Sequence, residues 1–215
     1  SYISKTGIVA PEYYNEEGIG FLRSFASGFL TTCGLRNVGS PCEQDGETFI
    51  MHGRISNTPA EEVCAKTEWI DNVPVLTISG KMREARLFGE NLMLSRKIIC
   101  KYGENKITIQ NSVENLGFRK EALMLLFHFN MGYPLLDEYA QLVTPTEKII
   151  PRDPVAEKGK AFFLQCQTPT PNYSEQVFYH QLKSDTQGQT SVALINKKLG
   201  LGAAIHFNKN QLFNF

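Results

Sequence analysis

Along most of the chain apolar and polar side chains alternate with a period of two, and helical spacing is nearly absent. The clearest case is "NLMLSRKIICKYGENKITIQNSVEN", where two runs flank "GEN", a turn of the kind that closes a hairpin. In its second run Ile107, Ile109 and Val113 alternate with Thr108, Gln110, Ser112 and Glu114. That alternation sets one face on a core and the other in solvent. Further strands are predicted at "SGFLTTC", "ETFIMHG", "VCAKTEWI", "VPVLTISG", "QVFYHQLK", "TSVALIN" and "LGAAIHFN". "TPAEEVC" offers a helix start, with Thr58 as cap and Pro59 in the first turn, but Val63 onward reads better as a strand. The Pro-rich stretches "TPTEKIIPRDPVAEKG" and "QTPTPNYSEQ" read as long loops inside one domain spanning residues 1–215. About ten strands at short spacing predict an all-β antiparallel sandwich or barrel.

One run breaks the pattern. In "EALMLLFHFNMGYPLL" a strand from Ala122 to Met131 would place Leu123, Leu125, Phe127, Phe129 and Met131 on one apolar face. The other face carries Ala122, Met124, Leu126, His128 and Asn130, and it turns polar just before "GYP" bends the chain. A polar pair at the end of a strand, on the face away from the main core, is where a ligand would bind if that face is concave.

Composition narrows the function classes. With 22 basic and 22 acidic residues the net charge is zero, so neither nucleic acid nor an anionic membrane has an electrostatic footprint to meet. No apolar run approaches the roughly 20 residues that cross a bilayer. Five cysteines occur without any CxxC or Cys/His cluster, which predicts no metal site and reduced thiols in a cytoplasmic protein. No nucleotide or dinucleotide fingerprint is present and no cofactor is expected. The chain opens at Ser1 and stops at "AIHFNKNQLFNF", on a strand and its following loop, which suggests a piece of a longer protein.

Candidate chemistry gathers near strand ends. In "MHGRISNTPAE", His52 and Arg54 flank Gly53, a residue that lets the backbone kink or approach a ligand closely. Imidazole and guanidinium together offer donors for hydroxyls or a developing oxyanion. The plain alternative is a histidine satisfied by a backbone carbonyl and an arginine on the rim. Asp137 and Glu138 follow "GYPLL", with Tyr133 in the bend itself, within a few residues of His128. His180 shares a face with Gln176, Phe178 and Leu182, which favours a structural role, and Arg23 just precedes "SGFLTTC". Arg83, Glu84 and Arg86 read as a salt-bridged strand surface. Cys33 has no base nearby in sequence and reads as a buried thiol. Such a set suits a neutral, hydroxyl-rich ligand such as a sugar.

Three blocks, "SGFLTTCGLRNVGSPCEQDGETFIMHGRISNTPAEEV", "REARLFGENLMLSRKI" and "LMLLFHFNMGYPLLDE", together resemble the aldose 1-epimerase-like proteins of uncharacterised function, a branch of the galactose mutarotase superfamily. The resemblance covers roughly Arg23 to Phe207 and implies a large twisted antiparallel β-sandwich, incomplete here at both ends, whose concave sheet binds a monosaccharide. In mutarotases a carboxylate takes the anomeric proton while a histidine protonates the ring oxygen, and reclosure of the opened ring gives either anomer. By this resemblance His128 stands for the histidine acid, His52 for the substrate-orienting histidine, and Arg54 or Arg23 for the arginine. Asn130, Tyr133, Asp137 and His180 are the further candidates for contact with the sugar. A histidine supplies a ring-oxygen acid near neutrality without a large perturbation. The family's base, a glutamate in a "GLEPGN"-like motif, has no counterpart among these 215 residues, so weak or absent turnover is expected of this polypeptide. The alternatives are a sugar-binding module without catalysis and a structural sandwich whose histidines satisfy backbone groups.

Overall fold

The computed structural model describes residues 28–212 and residue 215. They fall into two compact units, one ending at Asn130 and the other beginning at Met131.

The first unit is built around a four-stranded antiparallel sheet in the order β4-β5-β6-β7, formed by Glu61–Ile70, Val73–Ala85, Asn91–Lys101 and Ile107–Asn115. Asp71 and Asn72 both take positive φ (50° and 61°) between β4 and β5, the conformation a two-residue hairpin demands and one that short polar side chains tolerate. The predicted "GEN" hairpin is present as the β6–β7 pair, with the Glu104 amide donating to the Lys101 carbonyl at 3.1 Å. β1 (Leu30–Leu35) pairs antiparallel with β8 (Met124–Phe129), and β2 (Cys42–Gln44) with β3 (Glu47–Phe49). A single 3₁₀ turn, Ile55–Asn57, leads from β3 toward β4.

Packing follows the period-two pattern. Leu92 and Leu94 of β6 are buried with Leu35 of β1 and Ile55 of the 3₁₀ turn, and Met82, Val113 and Leu125 pack against them. Met82, Leu94 and Val113 are direct cross-strand partners, so one row of the sheet supplies three apolar side chains to the same face. Arg96 occupies the next position on that face of β6. Its guanidinium lies over the Phe127 ring at 5.9 Å and its Nε donates to Asn111 Oδ1 at 2.8 Å. Burial of this group lowers its pKa. Further along the same face Leu76, Ile78 and Ile107 are exposed.

Several elements depart from the expectations. In "TPAEEVC" the strand reading from Val63 holds over the helix start, but β4 begins two residues earlier, at Glu61. "ETFIMHG" is extended only over Glu47–Phe49, after which the chain turns. Glu84 is not on a salt-bridged surface. It is only 6% exposed, on the face that Met82 shares, whereas Arg83 is exposed and donates to Asn91 Oδ1 at 2.9 Å.

The second unit holds a three-stranded antiparallel sheet in the order β13-β12-β9, formed by Leu201–Asn208, Gln189–Asn196 and Ala140–Val143. Along β12, Thr190, Val192, Leu194 and Asn196 are buried in strict alternation with their neighbours. β10 (Thr146–Pro151) pairs with β11 (Phe178–Leu182). The stretch "TPTEKIIPRDPVAEKG", expected to be a loop, contains β10 and the short helix α1 (Pro154–Gly159). The helix starts where Asp153 accepts hydrogen bonds from the amides of Val155 (3.0 Å) and Ala156 (2.9 Å), with proline at its first position. "QTPTPNYSEQ" is irregular, as expected.

Candidate functional site

The β1–β8 register sets Thr31 opposite His128 and Leu30 opposite Phe129. On β8, Leu125, Phe127 and Phe129 are half-buried while Met124 and Leu126 are exposed, so the two faces differ up to His128, which is half-buried like its neighbours. The strand is shorter than the apolar run, and Asn130 lies just past its end. The Asn130 amide donates to Phe29 O at 2.8 Å and its Nδ2 to Gly28 O at 3.0 Å, tying this end of β8 back to the start of β1.

His52 arrives from a different segment, the turn that follows β3. His52 and Gly53 take successive positive φ values (61° and 72°), which fold the chain sharply back. Three backbone bonds hold the turn. The His52 amide donates to Gly39 O (2.8 Å), Gly34 to His52 O (3.0 Å), and Gly53 to Ile50 O (3.3 Å). Gly53 is obligatory, because a Cβ there would overlap the carbonyl oxygens of Gly34 and Asn37. The Gly39 amide also donates to His52 Nδ1 at 3.3 Å. With Nδ1 accepting, the hydrogen-bond pattern assigns the proton of neutral His52 to Nε2, which makes that nitrogen a donor.

The two imidazoles meet. The ring centroids of His52 and His128 are 5.7 Å apart and nearly perpendicular, at 85°. Residues 76 positions apart in the chain are thus brought together, with Arg54 two residues after His52 and half-buried.

A network of charge follows β1, of which the sequence reading named only Arg86 as salt-bridged. The Arg36 guanidinium reaches Glu47 (2.5 Å), Glu121 (3.2 Å) and Glu90 (3.5 Å), and Arg86 approaches Glu90 at 3.3 Å. The hydrogen bond from Arg36 holds the Glu47 carboxyl below the usual carboxylate range. Glu84 Oε2 accepts from the Leu35 amide at 2.8 Å, and burial pushes its pKa up against the opposing charges of Arg54 and Arg36. These acids are separated in sequence and alternate with basic residues, so locally they read as surface. Burial also pushes the Cys33 thiol up to about 11, which keeps it protonated and a poor nucleophile at neutral pH.

The remaining candidates lie in the second unit, apart from Arg23, which is outside the described residues. Tyr133 is exposed, next to a cis peptide bond to Pro134. Asp137 Oδ1 accepts from the fully buried Asn196 Nδ2 (2.7 Å) and from the Tyr139 amide (2.8 Å), so it organises the turn into β9. His180 is 6% exposed, bonded to Thr146 Oγ1 at 2.9 Å, with its ring against Phe163 and Phe215. Burial lowers its pKa. His206 pairs with Ser191 across β12 and β13 at 2.6 Å and is exposed. Among the described residues no group of three or more His, Cys, Asp or Glu is arranged to hold a metal ion, and no helix is long and apolar enough to cross a membrane.

The fold is that of an aldose 1-epimerase-like, all-β protein. The structure is similar to that of a provisionally assigned aldose 1-epimerase from Klebsiella pneumoniae, with a TM-score of 0.89 and 28% identity. The match covers 95% of this chain and 53% of that one, so the present chain spans about half the length of its structural relative. The chain belongs to the DUF4432 family, a domain of unknown function, whose family model matches residues 1–215. No curated protein matches.

Proposed function

We propose that this chain carries part of a sugar site of the aldose 1-epimerase type, in which His128 protonates the ring oxygen of an aldose and His52 orients the substrate. The observation that carries this reading is the perpendicular His52–His128 pair, assembled from two distant segments on a strand end and a strained turn. Ring opening needs a proton delivered to the ring oxygen as the anomeric hydroxyl loses its own, and an imidazole is suited to that exchange near neutral pH. The Gly39 amide anchors His52 Nδ1, which fixes this ring beside His128 for contact with the sugar. Arg54 adds a fixed positive charge for the oxyanion that develops on opening. The structural likeness to a protein provisionally assigned as an aldose 1-epimerase agrees with this chemistry.

The second reading is a sugar-binding module without turnover. It draws on the same His52–His128 pair, since two imidazoles can hold sugar hydroxyls by hydrogen bonds without any proton transfer. His128→Gln separates the two when polarimetry of anomer interconversion is combined with calorimetric sugar titration. An epimerase loses turnover by about 10²-fold or more and keeps binding, since general acid catalysis contributes on that order. A module loses affinity and has no turnover to lose. Wild-type protein that binds no aldose at millimolar concentration excludes both. Full-rate interconversion by this chain alone overturns the expectation that a base is lacking.

A further inference from the structure

One polar pair interrupts the apolar face of the four-stranded sheet. On that face β6 carries Leu92, Leu94, Arg96 and Ile98, and β7 carries Ile107, Ile109, Asn111 and Val113. Arg96 and Asn111 are direct cross-strand partners, and Arg96 Nε donates to Asn111 Oδ1 at 2.8 Å. The guanidinium lies over the Phe127 ring at 5.9 Å, within reach of a cation–π attraction. These two contacts do not exhaust it. Arg96 Nη2 is buried and makes no hydrogen bond among the described residues. No carboxylate among them offsets its charge, since burial is the sole cause of its lowered pKa. A leucine or methionine would fill this row without that cost, so the arginine calls for a partner that these strands do not supply.

The chemistry of that partner follows from what the pair has left to offer. Apart from one lone pair on Asn111 Oδ1, every remaining group is a donor, the N–H groups of Arg96 Nη1 and Nη2 and of Asn111 Nδ2. Donors clustered on a planar, positive group select an acceptor-rich anion, a carboxylate or a phosphate. The position also has a way in. On one side Leu94 and Val113 belong to the core, whereas on the other Ile78 and Ile107 are 53% and 63% exposed. Ile98 and Ile109, next to the pair, are half-buried in between. The pair therefore sits where the packed half of the face gives way to the open half. Phe127 and His128 follow one another on β8 and point to opposite faces, so this place is distinct from the histidine pair.

We propose that Arg96 and Asn111 form an oxyanion-binding site, which takes the carboxylate or phosphate of a small ligand whose body lies over Ile98 and Ile109. Nη2 is sealed at rest, so binding draws the guanidinium toward the open half of the face. The test follows the Arg96 Nε–H and Asn111 Nδ2–H resonances of the full chain at constant ionic strength. Benzoate and inorganic phosphate are titrated to millimolar concentration, with benzamide as the neutral match of benzoate in shape. Saturable shifts of both resonances are expected with benzoate, phosphate or both, and the anion that binds identifies the source of the oxyanion. Benzamide should move neither resonance. In Arg96→Met the Asn111 shift should vanish while the fold is kept, since an apolar side chain suits this row. Lack of a saturable shift with either anion overturns the proposal. So do equal shifts with benzamide, or an Asn111 response that survives in Arg96→Met. Should Arg96→Met not fold, Arg96→Lys keeps the charge and loses the planar fork. Its affinity for the bound anion should fall about tenfold, the weight of one charge-assisted hydrogen bond, and unchanged affinity overturns the proposal.

Discussion

Gly53 sits at φ +72° with two carbonyl oxygens where a Cβ would stand, so its role is set by space as much as by torsion. Gly53→Ala should destabilise the protein by about 3 kcal/mol or more, summing left-handed strain and overlap with backbone that cannot yield. Chemical denaturation measures the loss, and a wild-type midpoint would show that the turn relaxes. His180 supplies a residue-scale prediction of a different kind. Its burial lowers its pKa, so below about pH 6.5 the unfolded chain binds a proton that the folded chain refuses. Stability should therefore decline as pH falls from about 6.5 toward the depressed folded value, by at most about 1.4 kcal/mol per pH unit. Above that range this histidine contributes no pH dependence. His180→Gln should flatten the slope of unfolding temperature between pH 7.5 and 5, and an unchanged slope would assign the acid sensitivity elsewhere. At this scale the sequence made His52, His128 and Gly53 legible, because a histidine in an apolar run or beside a glycine is conspicuous. It concealed Glu84, because "KMREARLFGE" looks like solvent-facing charge until β5 is seen to bury one side.

Among elements, local chemistry was readable where it closes on itself. The β6–β7 hairpin announces its turn within three residues, and the alternation on β8 assigned its two faces in advance. The α1 helix was missed although Asp153, Pro154 and Glu157 form a start signal, because six residues are too few for apolar periodicity. Arg36 joins elements rather than residues, linking β1 to β3 through Glu47, to the β5–β6 connection through Glu90, and to the approach of β8 through Glu121. Arg36→Met should cost about 3–5 kcal/mol, since it leaves largely buried carboxylates without their partner. Combining it with Glu47→Gln should recover part of that loss in a double-mutant cycle. Strict additivity of the two substitutions would mean that the pair is not coupled.

For the molecule as a whole, strand period and turn residues were enough to specify an all-β protein, and the epimerase-like class came from the resemblance of three separated sequence blocks. These signals are local and repeat along the chain. They did not define the pairing of β1 with β8 or of β9 with β12, since those partners are remote in sequence and nothing in either strand names the other. Residue types and their spacing nominated His52 and His128 as candidates. That the two rings stand 5.7 Å apart, and that Asp137 and His180 bond to Asn196 and Thr146 in the other unit, depended on tertiary structure alone. The physical reason is that a side chain's face is set by its own strand, whereas its neighbours are set by which strand closes against it.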